Sequence, residues 1–266
     1  MNGAKKENYI MISLVQIIRP SSPLYTQPSN NLQISNECMF GESFQIFNII
    51  NNYAFGKLLT DNYEGWINLD DLAELPKPSH RVLAIRTIIN DKPNIKASLI
   101  HYLPLGSQVK VKKTINGWAE IELSRKHELK KGYIPFGHLV KLNHKIKDWV
   151  KITEQFIGTP YKWGGRDSLG VDCSALVQLS LQAHGINFPR DTSMQINSNL
   201  IKTIDLNHIN RGCLIFWEGH IAVCFDKYYI IHANSYSMST KKEKLEVAEL
   251  RIGNKYGSII KVAKLI

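Results

Sequence analysis

The sequence lacks the features that would take it into a membrane or a disulfide scaffold. Its longest apolar run, YIMISLVQII from Tyr9 to Ile18, is broken by Ser13 and Gln16. Spanning a bilayer takes about 20 apolar residues, so stable membrane insertion is not expected. Lys5 and Lys6 give the run the outline of an export leader, but Glu7 interrupts the basic flank. The following RPSSPLYTQP offers no small-x-small cleavage site. A cytoplasmic location is expected, with export as the alternative. Only four cysteines occur, Cys38, Cys173, Cys213 and Cys224, without framework spacing, which suits a reducing compartment. There is no C-x-x-C pair, and His220 and Cys224 on one strand would stand roughly 13 Å apart, a poor zinc pair. Neither G-x-G-x-x-G nor a P-loop occurs, so neither metal nor nucleotide cofactor is expected.

Charge is plentiful but not concentrated. The net charge of +10 comes from lysines spread along the chain. The denser runs, KVKK, SRKHELKK and KKEK, read as solvated loops or edges, so solubility accounts for the charge and no nucleic-acid partner is expected. Nothing in the composition bears on the oligomeric state. A hydrophobic content of 44% with 21% charged residues is that of a globular protein. A length of 266 residues allows two or three domains.

The two halves of the chain have different periods. Short β-rich stretches punctuated by Asn-Asn, Asp-Asn or Gly fill the first half, as in small barrels. LPKPSH (Leu75 to His80) is a proline-bearing linker. On either side of it, GESFQIFNIINNYAFGKLLTDNYEGWINLDDL and GSQVKVKKTINGWAEIELSRKHELKKGYIPFGHL repeat one order: Gly, strand, turn, strand, GW or GY, strand. Two SH3-like barrels over residues 1–75 and 76–142 are therefore expected. Residues 143–266 begin with helical spacing in HKIKDWVKITEQFIG and continue with SALVQLSLQAH, which Gly185 should close. The stretches CLIFW, HIAVCF, YYIIHA and SIIKVAKLI read as strands, so this part is α+β.

Cys173 opens the second of these helices, where free N–H groups and the helix dipole favour a thiolate. The neighbouring Asp172 disfavours it, and an imidazolium would supply the compensating cation. His220 and His232 lie on two strands that a turn near Asp226-Lys227 should join. A two-residue turn places them on opposite faces. A three-residue turn pairs Cys224 with Tyr228 and sets His220 directly across from His232. Shared chemistry requires the odd turn, which is the expectation here, although no glycine supports it. His220 would then act as general base toward Cys173, with His232 orienting its ring. Each histidine alone reads as structural; together, after a helix-start cysteine, they point to nucleophilic catalysis. Cys38, Cys213 and Cys224 read as small buried hydrophobes.

The blocks YKWGGRDSLGVDCSALVQLSLQAHGINFPRDTSMQ, RGCLIFWEGHIAVC and YYIIHANS resemble, in order, the NlpC/P60 cysteine peptidases over the last 120 residues or so. With two SH3-like barrels in front, the chain is similar to bacterial γ-D-glutamyl-L-diamino-acid endopeptidases that trim murein peptides at a diamino acid such as meso-diaminopimelate. The resemblance implies a papain-like α+β core and a Cys173–His220–His232 set. It further implies a substrate pocket including Tyr161, Arg190, Asp191 and Thr192, while Ser174 either serves only the first turn of its helix or lines that pocket. In it, Asp172 and Tyr63 would hold the free amine of an N-terminal L-alanine, and that ammonium would neutralise Asp172. The partner implied is a murein-derived peptide, cleaved during cytoplasmic recycling. On residue chemistry alone, Tyr63 equally packs its barrel, and Asp191 or Thr192 equally caps the next helix. An exported enzyme acting on intact murein, a silent peptide-binding module and an acyltransferase are the competing readings. Cys213 stands where the family usually has aspartate, Ala175 where glycine is usual and Thr192 where serine is common.

Overall fold

The computed structural model describes residues 13–28, 33–124 and 131–266. Residues 9–12 of the apolar N-terminal run and 125–130 of the basic SRKHELKK run lie outside the described residues. No described helix is long and apolar enough to cross a membrane.

Strands β1 (Ser13–Ile17), β2 (Ser21–Tyr25), β3 (Ile34–Met39), β4 (Ser43–Ile50), β5 (Tyr53–Leu58), β6 (Glu64–Asn68) and β7 (Leu72–Ala73) form one antiparallel sheet, ordered β3-β2-β6-β5-β4-β1-β7. Alternate residues face inward, as a pleated strand requires. Ile17, Leu24, Phe44, Leu58 and Ile67 make the core. The second half of the apolar run is thus β1, paired with β4 on one side and β7 on the other.

A second β module follows the proline linker. It comprises β8 (His80–Val82), β9 (Arg86–Asn90), β10 (Leu99–Pro104), β11 (Gln108–Val109), β12 (Val111–Ile115), β13 (Trp118–Glu122), β14 (Lys131–Pro135) and β15 (Leu139–Lys141). Their sheets are ordered β10-β9-β14-β13-β12 and β11-β8-β15. The sequence echo extends to the backbone. Gly41 and Gly106 both have positive φ, at 78° and 89°, and one-turn 3-10 helices at Leu69–Asp71 and Phe136–His138 precede the closing strands. A Cβ on Gly41 would come within 1.9 Å of the Gln108 carbonyl oxygen. Both the turn and the inter-module contact therefore require glycine.

The remaining elements are α1 (Val150–Gln155), β16 (Arg166–Asp167), β17 (Gly170–Val171), α2 (Cys173–Ala183), α3 (Thr192–Gln195), β18 (Ile201–Thr203), β19 (Leu214–Trp217), β20 (His220–Cys224), β21 (Tyr229–Asn234), β22 (Ser239–Lys244), α4 (Leu245–Tyr256) and β23 (Lys261–Leu265). Six strands, ordered β18-β23-β19-β20-β21-β22, make the sheet. Helix α2 lies in two hydrophobic clusters at once: Val177 and Leu181 face one, Leu176 and Leu179 the other. A helix buried on nearly every side, with Ser174, Gln178 and Ser180 covered as well, is a core helix. It ends where expected. Gly185 N–H donates to Gln182 O at 3.0 Å and Ile186 N–H to Leu181 O at 2.9 Å, a Schellman closure. Helix α1 is shorter than its spacing predicts, because the Ile146 N–H is directed to the end of α2, at Ala183 O, rather than into a helical turn.

The first module is locked to the third by buried charge. Arg166, fully buried, donates to both Glu42 oxygens at 3.1 and 3.2 Å and to the Glu37 carbonyl at 2.9 Å. Glu37 also takes Lys162 Nζ and the Arg166 N–H. Gln178 in α2 donates to Asp61 at 2.8 Å. Pairing makes such burial tolerable, and removing one partner of a buried ion pair typically costs about 3–5 kcal/mol. This docking brings β3 and the turn bearing Tyr63 over the start of α2.

Candidate active site

Strand β17 delivers the chain to Asp172, the N-cap of α2, whose Oδ1 accepts the Ala175 N–H at 2.8 Å. Cys173 is the first helical residue, and its N–H has no acceptor within the helix. Its thiol is buried, with Thr192 Oγ1 at 3.9 Å and the Ile221 N–H directed at it. Burial and the Asp172 charge push the thiol up to about 11, against the Ile221 and Thr192 hydrogen bonds and the Arg190 charge.

The cation expected beside Asp172 is present, but it is neither an imidazolium nor a substrate ammonium. Arg190 Nη1 and Nη2 reach Asp172 Oδ1 and Oδ2 at 2.9 and 2.6 Å. Asp172 also accepts from Ser174 Oγ at 3.1 Å and Gly164 N at 3.0 Å. With Ala175 N–H, five donors saturate it. Arg190, only 1% exposed, contacts Ser174 Oγ at 2.8 Å and Asn36 of β3 at 2.6 Å. The expectation that Arg190 lines the substrate pocket is corrected accordingly: it is a structural ion beneath that pocket. Asp172, for the same reason, has no lone pair left for a substrate amine.

The β20–β21 hairpin corrects the expected register and keeps its parity. Cys224 pairs with Ile230 and Val223 with Ile231, while Phe225 N–H donates to Tyr229 O at 2.8 Å. Three residues, Asp226 to Tyr228, form the loop, one position later than expected. Asp226 Oδ1 accepts the N–H groups of Tyr228 and Tyr229 at 2.7 and 2.8 Å, a side-chain turn that replaces the missing glycine. Continued along β20, this register sets Asn234 opposite His220 and leaves His232 one diagonal step away, within side-chain reach. The rings meet with His220 Nε2 and His232 Nδ1 2.7 Å apart.

Beyond His232 stand two residues the sequence reading missed. His232 Nε2 lies 2.6 Å from Glu243 Oε1, and Glu243 also binds Arg251 of α4. Burial would raise the Glu243 carboxyl, but the His232 hydrogen bond and the Arg251 charge outweigh it and hold it low. An ionised carboxylate only accepts, which assigns the network's protons. His232 carries its proton on Nε2, its Nδ1 accepts from His220 Nε2–H, and His220 Nδ1 is left bare. Burial, with the nearby His232 and Arg251, pulls the His220 imidazole down to about 3. Thiol and imidazole are thus both neutral at rest. Glu243 belongs to KKEK, which reads as a solvated run; residues 241–244 in fact lie in β22, where Glu243 is half-buried.

Two cavities meet at Cys173, sharing Tyr161, Trp163 and Gly219. One, of about 380 Å³, is lined by Tyr63, Ser174, Asp191, Thr192 and, from β3 and its approach, Ile34 and Ser35. Asp191 occupies the N-cap position of α3 without capping it by its side chain; instead its carboxylate accepts from the Tyr63 hydroxyl. Burial raises both groups, Tyr63 to about 12. The other cavity, of about 480 Å³, carries His220 together with Glu218, Tyr236, Arg251, Lys255 and Tyr256. Tyr161 is raised by burial and by the neighbouring Cys173. Cys38, Cys213 and Cys224 are buried and free. Cys213, in place of aspartate, still closes the turn before β19 by contacting the N–H and side-chain oxygen of Asn210 at 3.5 and 3.3 Å.

The NlpC/P60 family matches residues 158–250, the stretch holding Cys173, both histidines and Glu243. This chain carries an NlpC/P60 domain. A bacterial dipeptidyl-peptidase SH3 domain matches residues 24–72, within the first β module. Dipeptidyl-peptidase 6 of Lysinibacillus sphaericus is 24% identical over 241 residues, covering 82% of this chain and 86% of that protein. The gamma-D-glutamyl-L-lysine dipeptidyl-peptidase of Bacillus subtilis is 32% identical over 71 residues, 27% of this chain and 23% of that one. An NlpC/P60 family crystal structure from Bacillus cereus shares the fold across 94% of this chain and 98% of its own, with a TM-score of 0.79 at 16% identity. The NlpC/P60 domain of this chain is thus the α+β module, with an SH3-like module in front of it.

Proposed function

We propose that the protein is a cysteine peptidase that hydrolyses the γ-D-glutamyl–L-diamino-acid bond of murein peptides with a free N-terminal L-alanine. The observation that carries this reading is that Cys173, at the start of α2 and at the junction of two cavities, shares one of them with His220, which His232 and Glu243 back in turn through hydrogen bonds. The name of the Bacillus subtilis relative supports the bond type.

The neutral resting pair dictates the order of events. As Cys173 Sγ attacks the carbonyl carbon, its proton passes to the bare Nδ1 of His220. The developing oxyanion is held by the free Cys173 N–H at the helix start; such donors are worth about 2.7–4 kcal/mol. His220 then gives the proton to the departing amine, leaving a thioester. Water, deprotonated by the same nitrogen, releases the γ-D-glutamyl product and restores the thiol. His232 and Glu243 hold the imidazole in the required tautomer.

The substrate amine goes to Asp191 rather than Asp172 in this reading. Asp191 faces the smaller cavity with Tyr63 and is half-buried, so an ammonium would ionise and pair it at little cost. The first module closes that end of the cavity at Ile34, Ser35 and Tyr63, which favours a peptide that ends in L-alanine over one that continues into a glycan. Recycling of released peptides in the cytoplasm is the process this selectivity fits. A leader cleaved near residue 20 would also carry β1 away from between β4 and β7.

The test pairs free L-Ala-γ-D-Glu-diaminopimelate with the same stem attached to muramic acid, beside a Cys173→Ala control. Cleavage of the free peptide alone, lost in the control, is expected. Equal cleavage of both would overturn the amine requirement and favour an enzyme of intact murein. Cleavage of neither would favour a binding module.

A further inference from the structure

The larger cavity holds an acid and a base that the chemistry above does not use. Glu218 precedes Gly219 and His220, and Lys255 lies on the last turn of α4; both line the same space as His220. Neither has an oppositely charged partner among the described residues. Arg251, the other cation here, is bound to Glu243 and stacked on Tyr236 with 4.5 Å to the ring centroid. Lys255 lies over the ring of its neighbour Tyr256, at 4.9 Å. Tyr236, Tyr256 and Trp163 supply exposed aromatic walls, and Ile252 supplies an apolar patch.

Resting on the functional reading above, the direction of the substrate follows. Tyr63 and Asp191 occupy the other cavity, so the acyl side of the scissile bond lies there. His220, which protonates the leaving amine, lines only the larger cavity. The leaving diamino acid therefore occupies the space that contains Glu218 and Lys255.

We infer that Glu218 and Lys255 form a zwitterion-binding subsite that selects a diamino acid whose side chain ends in both an ammonium and a carboxylate, as in diaminopimelate, over L-lysine. L-lysine is the same side chain with hydrogen in place of the distal carboxylate. It offers Glu218 its ammonium but leaves Lys255 unmatched and adds a second cation beside it. Diaminopimelate satisfies both charges, while its methylene stem packs along the aromatic walls. Helix α4 holds Lys255 in its final turn, where a cation is also stable on the helix itself, so the residue needs no substrate to be in place.

The experiment measures kcat/KM for L-Ala-γ-D-Glu-meso-diaminopimelate and L-Ala-γ-D-Glu-L-lysine with wild type, Lys255→Ala and Lys255→Glu. Wild type is expected to favour diaminopimelate by about fivefold, the upper end of what one exposed charge pair contributes. Lys255→Ala should narrow that ratio to about twofold, and Lys255→Glu should reverse it. Glu218→Gln should weaken both substrates, since both present an ammonium. A ratio that is the same in all three proteins would overturn the inference while leaving the peptidase reading intact. Cleavage of neither substrate by wild type would remove the peptidase reading, and the subsite with it. Turnover of the L-lysine peptide by the variants serves as the check that they fold.

Discussion

Arg190 and Asp172 form a two-point ion pair of 2.9 and 2.6 Å beneath the thiol of Cys173, with both side chains buried. The carboxylate thereby caps α2 and accepts five hydrogen bonds without relying on solvent. The guanidinium also reaches Asn36 of β3, so one residue ties the start of α2 to the first module.

Replacing Arg190 with Met should leave Asp172 buried and uncompensated, at a cost of about 3–5 kcal/mol. Arg190→Lys should recover little, since a single ammonium cannot match the fork. Thermal melts of the three proteins would check this. An Arg190→Met protein as stable as wild type would show that the pair contributes no net stability.

The thiol at about 11 and the imidazole at about 3 describe a neutral pair, not a preformed thiolate–imidazolium. At pH 7 only about one thiol in ten thousand is ionised on that footing. Alkylation of Cys173 by iodoacetamide should rise about tenfold per pH unit from pH 5 to 9. A plateau across that range would mean a stable thiolate instead.

His220 also links stability to pH. Its folded form resists protonation until about pH 3, whereas an unfolded histidine takes a proton near 6.5. Its contribution is therefore present above pH 6.5 and lost as pH falls from there toward 3. The melting temperature of wild type should drop more steeply across that window than that of His220→Gln.

Glu243→Gln keeps the size of the side chain but removes the charge that fixes the His232 proton on Nε2. We expect kcat to fall by about 10²-fold, the scale of a misdirected general base, with KM nearly constant. A change in KM alone would reassign Glu243 to packing.

Tyr63→Phe and Asp191→Asn should each raise KM for peptides with a free N-terminal amine. Their activity on N-acetylated peptides should start low and stay low. Wild-type cleavage of free and acetylated peptides at equal rates would end the amine-clamp reading.

Much of the site was legible because its residues carry local signals. A cysteine directly before a helical run and after an aspartate reads as a helix start with an N-cap, and α2 begins there. The parity of the β20–β21 turn followed from the requirement that two histidines share a face. Its exact position did not, because the Asp226 side chain, not a glycine, sets the loop. Glu243 gave no signal, since one glutamate among lysines looks solvated until β22 pairs beside β21. Helix α4 likewise escaped notice, having only Ala248 and Ile252 as buried positions.

By itself, the sequence determined the helix that begins at Cys173, the strands bearing the histidines and the repeated order of the two β modules, because those depend on spacing along one stretch of chain. Only the tertiary structure decided which charges compensate one another. Asp172 could have met an imidazolium or a substrate amine, but Arg190, 18 residues away, reaches it first. Asp191 could have capped α3, but Tyr63 arrives from a different module and takes its carboxylate. Charge pairing depends on distance through space, and that is settled only when the modules pack.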